Sequence, residues 1–392
     1  MKFCAKCGFQ MQDTDAFCVK CGNPATGGAA PDAPKETKWY DKVTAWINQM
    51  TGGMGAVRPP LGRIFSNVFA KHTRAESEEI FICGTEQTTP VLTDDGKAWP
   101  RPWLWSRILL VFVAAFALLH LCCSTFDNLN AYPGLMVMGA FMIPVAVMVF
   151  FFELNTPKNI SFFSIIKYFL IGGCASLVVT LLLNDFVTME VDEWVSAMLT
   201  GIIEEVAKLA IVAIILLRNK NMKYALNGLL VGAAIGAGFA AFESAGYAFN
   251  IFLGSLLNSQ LNVAYAYSEM MDNIILRALL APGGHVIWAA MSGYAIMLVK
   301  KNGGEGVFFL NQKAFWKIFW IPILLHAVWD MPIALSNTLV GVLAPIVVLV
   351  LLGWVVVFVF IGNALEQIGQ FVKAEAAAAA AAESQSEEQP TA

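Results

Sequence analysis

The chain has 392 residues, of which 57% are hydrophobic and 14% charged, whereas soluble proteins average roughly 45–50% and about 25%. The formal net charge is −4, so the chain as a whole offers no electrostatic basis for binding a phosphate backbone, and we expect no nucleic acid among its partners. These values exclude a soluble globular enzyme, a disordered protein and a strongly basic nucleic-acid binder. They favour an all-α polytopic membrane protein with a small soluble addition.

Residues 1–24 contain two Cys-x-x-Cys-Gly motifs, which supply the thiols Cys4, Cys7, Cys18 and Cys21. Two such turns predict a zinc ribbon, in which four thiolates surround Zn²⁺ as a tetrahedron. A module this short cannot bury a core, so the metal would supply its folding free energy. Two redox pairs or free thiols are the alternative, which the glycine after each motif disfavours. We expect such a ribbon to be structural or to bind a cytosolic protein, and we expect no cleavable signal peptide, because the first residues lack an apolar run.

Residues 25–102 read as a linker followed by an amphipathic cytosolic segment. The stretch 25–37 consists of small residues and proline, and 38–50 predicts a short helix with a tryptophan-containing apolar stripe. That stripe fits the membrane interface and packing on the protein equally well. The sequence predicts no fold for 61–100. At the other end, 366–392 is a low-complexity acidic tail in which we expect no site.

From Trp103 onward the sequence is dominated by apolar segments of about 20 residues, the length that spans a bilayer. They predict about eight transmembrane helices, near 103–123, 133–153, 162–183, 195–217, 227–252, 273–299, 314–336 and 340–362.

The loops between these segments predict how the chain is oriented. Lys and Arg occur only in the even-numbered loops, at Lys158, at Arg218, Lys220 and Lys223, and at Lys300, Lys301 and Lys313. Because positive loops remain in the cytosol, the sequence predicts a multi-pass protein of the cytoplasmic membrane with both termini cytosolic.

Ionisable residues are few inside the predicted spans, and they are concentrated in four consecutive spans. Each charge near the bilayer centre costs about 2.5–3.5 kcal/mol on insertion scales, so several of them indicate a function. At helical rise, the polar group of each span lies about 14 to 18 Å in from the outer end. We therefore expect one water-containing cavity near the midplane, slightly toward the outside, formed by Glu204, Glu205, Glu243, His285, His326 and Asp330.

Two functions use buried carboxylates and imidazoles of this kind. One is hydrolysis, with a glutamate that activates water and a histidine that stabilises the oxyanion. The other is a non-proteolytic role, as a proton or cation transporter or a receptor scaffold. The chain has no Gly-x-Ser-x-Gly and no His-Glu-x-x-His motif. Two adjacent glutamates with two separated histidines favour hydrolysis.

Four motifs together resemble the PrsW family of intramembrane proteases, which is similar to the broader clan of CAAX-processing proteases. The motifs are Glu204-Glu205-x-x-Lys208, Phe242-Glu243, Arg277 with His285 and Gly293 at intervals of eight, and His326-x-x-x-Asp330. The resemblance covers residues 195–335 closely. It implies a protease domain, here 103–365, that cuts membrane-anchored proteins such as anti-sigma factors.

The resemblance also implies roles for these residues and leaves the metal question open. Glu204 is expected to be the base that activates water, Glu205 to tune or orient Glu204, and the histidines to bind water or stabilise the oxyanion. Glu204, His285 and His326 have the ligand types of a Zn²⁺ site, whereas catalysis by glutamate alone needs no metal and is slightly favoured here. Because a helical substrate must unwind to be cut, we expect cleavage at the outer end of a single-span substrate.

Overall fold

The computed structural model describes residues 2–3, 10–11, 38–186, 191–300 and 309–387. This part is almost entirely helical. Its α-helices are α1 (Trp39–Met50), α2 (Leu61–Ile64), α3 (Arg74–Ile82), α4 (Leu104–Phe126), α5 (Tyr132–Leu154), α6 (Phe162–Lys167), α7 (Gly173–Phe186), α8 (Glu193–Arg218), α9 (Ala225–Asn258), α10 (Val263–Leu280), α11 (His285–Val299), α12 (Lys313–Asp330) and α13 (Leu339–Glu387).

Two short strands, β1 (Lys2–Phe3) and β2 (Gln10–Met11), pair antiparallel near the start of the chain. In sequence they bracket the first Cys-x-x-Cys motif. The four cysteines of the predicted zinc ribbon, Cys4, Cys7, Cys18 and Cys21, lie outside the described residues, so the ribbon stays a prediction. The division of the chain into the four predicted segments also stays a prediction.

Six helical stretches of the described part are long and apolar enough to cross a membrane, so the chain is a multi-pass membrane protein by length and composition. They are Leu104–Phe126, Leu129–Leu154, Phe162–Asp185, Ala225–Asn258, Val263–Val299 and Val340–Ala379. The predicted count of eight is therefore not confirmed. The two additional predicted spans, 195–217 and 314–336, correspond to α8 and α12, which are helices of 26 and 18 residues. Each of the two carries at least three charged residues, so its composition alone does not identify it as a membrane span.

Several predicted boundaries differ from the structure. The span predicted at 273–299 is two helices, α10 and α11, joined by a 3₁₀ turn at Ala281–Gly283. Proline and two glycines follow one another there, and proline cannot continue the hydrogen-bond ladder of a helix. The span predicted at 314–336 ends as a helix at Asp330. The last helix continues through the predicted tail as far as Glu387, consistent with the high helix propensity of its alanine run.

α9 is the central helix, and every residue from Ala225 to Ala241 is buried. It packs against α11 through glycines, because a Cβ added at Gly232 would overlap the carbonyl oxygen of Ala289 and one at Gly236 would overlap that of His285. Small residues allow two helix backbones to approach this closely. The contact fixes His285, the first residue of α11, against the middle of α9.

One end of the bundle is tied together by polar contacts between residues far apart in sequence. Asn227 at the start of α9 donates to Asn155 and Asn159 next to the end of α5, at 2.9 and 2.7 Å. The ammonium of Lys300, after α11, donates to the carbonyl oxygens of Leu216, Asn219 and Met222 at 2.7, 2.8 and 3.0 Å. The backbone N–H of Ala225 donates to Gln367 of α13 at 2.8 Å. These contacts place the ends of four helices, α5, α8, α9 and α11, beside the middle of α13.

The segment before the first span, whose fold the sequence did not predict, contacts this same end. Glu153 of α5 accepts the backbone N–H groups of Trp103, Leu104 and Trp105 at 2.8 to 2.9 Å. The carboxylate thus satisfies the free donors at the start of α4, as an N-terminal cap does. The His72 ring stacks on Trp103 with a centroid distance of 3.6 Å.

Candidate active site

α8 brings three charged side chains to the middle of the bundle. Glu205 and Lys208 have no exposed side-chain area, and Glu204 is 10% exposed. The Lys208 ammonium lies 2.7 Å from Glu205 and 3.5 Å from Glu204, and 4.3 Å from the centre of the Phe239 ring. The i,i+3 and i,i+4 spacing makes these contacts possible on one helix face. The attraction between Lys208 and the two glutamates offsets part of the free-energy cost of removing each charge from water.

α9 contributes Glu243, whose side chain contacts one residue of α10 and one of α11. Its carboxylate pairs with the guanidinium of Arg277 and lies 3.1 Å from Nε2 of His285. Arg277 also donates through Nε to Ser244 at 2.9 Å, and it lies 4.4 Å from the centre of the Tyr247 ring. Glu243 is thereby held by two partners and orients the imidazole that it contacts.

His285 begins α11 immediately after the break at Gly284. Its Nδ1 lies 2.9 Å from Nζ of Lys208 and 3.8 Å from Oε2 of Glu204. An ammonium has only donors, so Nδ1 accepts and carries no proton. Nε2 then holds the proton and donates it to Glu243. The lone pair of His285 therefore faces Lys208 and Glu204.

His326 of α12 is also held by a glutamate on one ring nitrogen, but through Nδ1, whereas His285 is held through Nε2. Its Nδ1 lies 2.9 Å from Oε1 of Glu205, and its Nε2 lies 3.7 Å from Glu204 and 3.3 Å from Asp330. The ring stacks on Trp288 at 4.4 Å between centroids. Glu205 accepts the Nδ1 proton, so Nε2 faces two carboxylates. The lone pair of an unprotonated Nε2 would be repelled by the two negative carboxylates. Either a second proton on Nε2 or a metal ion bound there would remove this repulsion.

These side chains border a cavity of about 710 Å³. Of the six residues predicted to act in one site, five line it: Glu204, Glu243, His285, His326 and Asp330. Glu205 lies behind them against His326 and Lys208. The structure thus brings all six together. The lining also includes Glu193 at the start of α8 and Pro332 after α12, so the cavity extends toward the ends of these helices.

Three of these residues fit a metal ion. One donor atom from each of Glu204, His285 and His326 lies within 4.8 Å of the other two. Oε2 of Glu204 is buried and has no hydrogen-bond partner among the described residues. Each histidine is also held by a carboxylate on its other nitrogen, the arrangement that orients metal-bound imidazoles in proteins. The two glutamates that do this are Glu243 and Glu205.

Several residues of the site were not singled out as chemical by sequence reasoning. Lys208 and Arg277 belong to the four motifs without an expected role of their own, and they contact His285 and Glu243, respectively. Trp288 stacks on His326, and the signal for it is its position three residues after His285, which places it on the same helix face.

The comparisons with known proteins agree with this geometry. The family described as PrsW family intramembrane metalloprotease matches residues 162–361. A curated relative, "Protease PrsW" from Clostridioides difficile (strain 630), is 28% identical over 176 residues, which are 42% of this chain and 65% of the relative. The chain thus spans slightly less than two thirds of that relative's length. No solved structure matches the chain. Because the family match covers half of the chain, including every residue of the cavity site, the chain belongs to the PrsW family of intramembrane metalloproteases.

Proposed function

We propose that this protein is an intramembrane endopeptidase that hydrolyses peptide bonds of membrane-anchored proteins, with anti-sigma factors as one such class. The observation that carries the proposal is the buried cavity, in which Glu204, His285 and His326 present three donor atoms within 4.8 Å of one another. Membership of the PrsW family supports the same activity. A peptide bond could enter this cavity beside carboxylates that move protons, which is what hydrolysis requires.

The shape of the cavity favours hydrolysis over transport. Along α8 its lining ends at Glu204. The next turns place Lys208, Leu209, Val212 and Leu216 in the buried interior. A transport pathway needs access from both sides of the membrane, whereas this cavity extends toward only one end of the bundle.

We propose that Glu204, His285 and His326 hold a catalytic Zn²⁺. When bound, Zn²⁺ polarises the substrate carbonyl and lowers the pKa of bound water. Oε2 of Glu204 accepts no hydrogen bond from the described residues, although the Lys208 ammonium lies 3.5 Å away. This oxygen and the two histidines, each oriented by a carboxylate, support this proposal over glutamate catalysis without a metal.

In this arrangement the remaining groups hold or move protons. Glu243 keeps the proton of His285 on Nε2, and Glu205 keeps that of His326 on Nδ1. Asp330, whose side chain is 32% exposed, lines the cavity and is placed to accept a proton from water. The water oxygen bonds to the carbonyl carbon, the C–N bond breaks, and the proton passes to the leaving amine. Without a metal, Glu204 would be the base.

The test compares the purified chain with Glu204→Gln, His326→Gln and the exposed control Glu366→Gln. Each protein is incubated with a panel of single-span substrates, and its bound metal is measured by mass spectrometry. We expect the first two variants to lose cleavage and the intramembrane metal, and the control to keep both. Cleavage by Glu204→Gln at the rate of the parent chain would remove Glu204 from the mechanism. Retained metal with lost cleavage would favour Glu204 as the base.

We further propose that the chain crosses the membrane eight times, because α8 and α12 must also cross. The start of α9 lies beside Asn155 and Asn159, at the end where α5 finishes, and α6–α7 leads away from that end. The chain reaches the start of α9 through α8, so α8 must cross the membrane back to the end where α5 finishes. Likewise Lys300 contacts this end and Gln367 of α13 lies at it, so α12 must cross outward before α13 crosses back.

The same contacts support cytosolic termini in the cytoplasmic membrane. The tied end of the bundle carries Lys158, Arg218, Lys220, Lys223 and Lys300, and positive residues mark the cytosolic side. Single cysteines introduced at Lys220 and Gln260, in a chain whose own cysteines are replaced, should react differently with an impermeant maleimide on intact cells. We expect labelling at 260 and none at 220. The reverse pattern would overturn the orientation.

We also propose that Cys4, Cys7, Cys18 and Cys21 bind one structural Zn²⁺ and form a docking module for a cytosolic protein. The spacing of the motifs supports this, as do the paired strands that bracket the first one in sequence. The linker 25–37 separates the module from the membrane domain.

The cavity extends toward the outer end of the helix bundle. We therefore propose that the cut falls at the outer end of the substrate span, because the backbone amides freed by unwinding can bind water there. Product termini mapped by mass spectrometry test this, and cuts on the cytosolic side would contradict it.

A further inference from the structure

A second groove, of about 520 Å³, leads away from the candidate active site. It lies between the last turns of α9 and the first turns of α10, and it is lined by Ile251, Gly254, Ser255, Asn258, Glu269, Asp272, Asn273 and Leu276. Asn273 and Leu276 also line the catalytic cavity. The groove is therefore a continuation of that cavity toward the end of the bundle opposite the tied, positive end.

An unsatisfied acceptor lies where the two spaces meet. Oδ1 of Asn273 is buried and has no hydrogen-bond partner among the described residues. A buried polar atom without a partner is costly, so such an atom at the wall of a cavity favours a ligand that brings a donor. A substrate that has unwound to be cut presents free backbone N–H groups, which need acceptors inside the membrane.

The walls of the groove are acidic. Glu269 and Asp272 lie one turn apart on α10, and neither has an ion pair within the described chain. No Lys or Arg occurs between Lys223 and Arg277, so the lining of the groove holds no basic residue to neutralise them. A basic side chain of a bound substrate would complement this charge. Basic residues are scarce just outside the outer ends of membrane spans, so such a requirement would separate substrates from other single-span proteins.

We propose that this groove binds the substrate segment on the outer side of the scissile bond, with Asn273 accepting a backbone N–H and with Glu269 and Asp272 selecting Lys or Arg just outside the substrate span. The proposal rests on the proposed function and deepens it, because it assigns a substrate class to the same cavity. Asn273, Glu269 and Asp272 are specificity residues and take no part in the proton transfers.

The first test detects binding independently of catalysis. A photoreactive benzoylphenylalanine replaces Gly254 in the full chain carrying Glu204→Gln. A Cβ at this position meets no atom within 4 Å, so a side chain can leave the backbone there without a clash. Leu257, on the same helix but 64% exposed and outside the groove lining, is the matched control position. Each protein is irradiated in liposomes with a single-span substrate that carries Lys at the second position outside its span.

The second test measures selectivity in the chain with an intact active site. Substrates with Lys, Ser or Glu at that position are compared by kcat/KM. We expect the Lys substrate to be cut about two- to fivefold faster than the Ser substrate, as for a partly exposed ion pair. Glu269→Gln with Asp272→Asn should abolish this preference, whereas Asp185→Asn, the same change at an exposed outer site, should not. Asn273→Leu should lower kcat/KM about three- to tenfold for every substrate, and Asn273→Asp, which keeps an acceptor, should restore most of it.

The outcomes separate this proposal from the proposed function. Crosslinks from position 254 but not 257, to substrate residues outside the span, support the groove even if no cleavage is found. Equal crosslinking from positions 254 and 257 would overturn the groove proposal. If Glu204→Gln also abolishes cleavage, the proposed protease activity would still be supported. Equal kcat/KM for the Lys and Glu substrates would overturn the acidic selection.

Discussion

Nζ of Lys208 lies 2.9 Å from Nδ1 of His285, so the one lone pair of that imidazole is occupied by a cation that the chain itself supplies. The same nitrogen faces Glu204 and would be a metal ligand. Lys208 is fully buried and also contacts Glu205 at 2.7 Å. It therefore holds two carboxylates and one imidazole in place, and a metal ion would have to displace it from Nδ1.

Lys208→Met should destabilise the protein strongly, because it leaves Glu205 buried without its partner. Removing one member of a buried ion pair typically costs about 3–5 kcal/mol. Thermal unfolding in detergent measures this, with the exposed Lys317→Met as a control that we expect to be neutral. Adding Glu205→Gln to Lys208→Met should recover part of the loss. If Lys208→Met alone unfolds at the temperature of the parent chain, the ion pair does not stabilise the site.

Glu243→Gln should weaken metal binding without removing a ligand. The carboxylate orients His285 through Nε2, and loss of such a partner typically lowers metal affinity about 10- to 100-fold. Competition with a fluorescent zinc chelator measures the affinity. Glu193→Gln, a change of another cavity carboxylate that does not hold either histidine, is the matched control. Equal affinities in the two variants would contradict the orienting role.

Gly232→Ala should destabilise the bundle, because the added methyl group meets the backbone of α11. Overpacking a tight contact costs about 1–3 kcal/mol. Gly246→Ala, on the same helix, meets nothing within 4 Å and should be neutral or stabilising by roughly 0.5–1 kcal/mol, since alanine is the better helix former. Thermal unfolding of both variants, side by side, tests the close approach of the two backbones. A stable Gly232→Ala protein would refute it.

Deletion of residues 1–24 should leave cleavage of a good substrate largely intact and remove one zinc ion per chain. The four cysteines of the proposed ribbon lie far in sequence from Glu204, His285 and His326, and the proposed proton transfers use none of them. Metal content and kcat/KM of the truncated chain test this. Loss of cleavage in a truncated protein that still unfolds cooperatively would make the ribbon part of the active unit.

Much of the site could be predicted because charge inside a membrane is costly. Glu204, Glu205, His285 and His326 are conspicuous in apolar sequence for that reason, and helical rise placed them at one level. The structure brings them together as expected. Their pairing could not be predicted, because which nitrogen of a histidine faces which carboxylate depends on how α8, α11 and α12 rotate about their axes.

The fold was less predictable at its ends and breaks. The start of α10 ten residues before the predicted boundary, and the end of α12 at Asp330, depend on contacts that apolar periodicity does not show. Glu153 lies in an apolar run, and nothing in the local sequence indicates that its carboxylate accepts the free N–H groups at the start of α4. The count of eight crossings depends on α8 and α12. These helices carry too many charged residues to be identified as membrane spans from composition alone.

The glycine contact between α9 and α11 also determines the direction in which mutations can change the active site. No residue is smaller than glycine, so no substitution at Gly228, Gly232 or Gly236 can bring the two backbones closer. Every substitution there adds atoms and can only push α11 away from α9. Since Glu243 lies on α9 and His285 begins α11, a shift of the two helices at this contact would disturb the hydrogen bond between these two side chains. The geometry of the site therefore depends on three residues that carry no side chain and take no part in its chemistry.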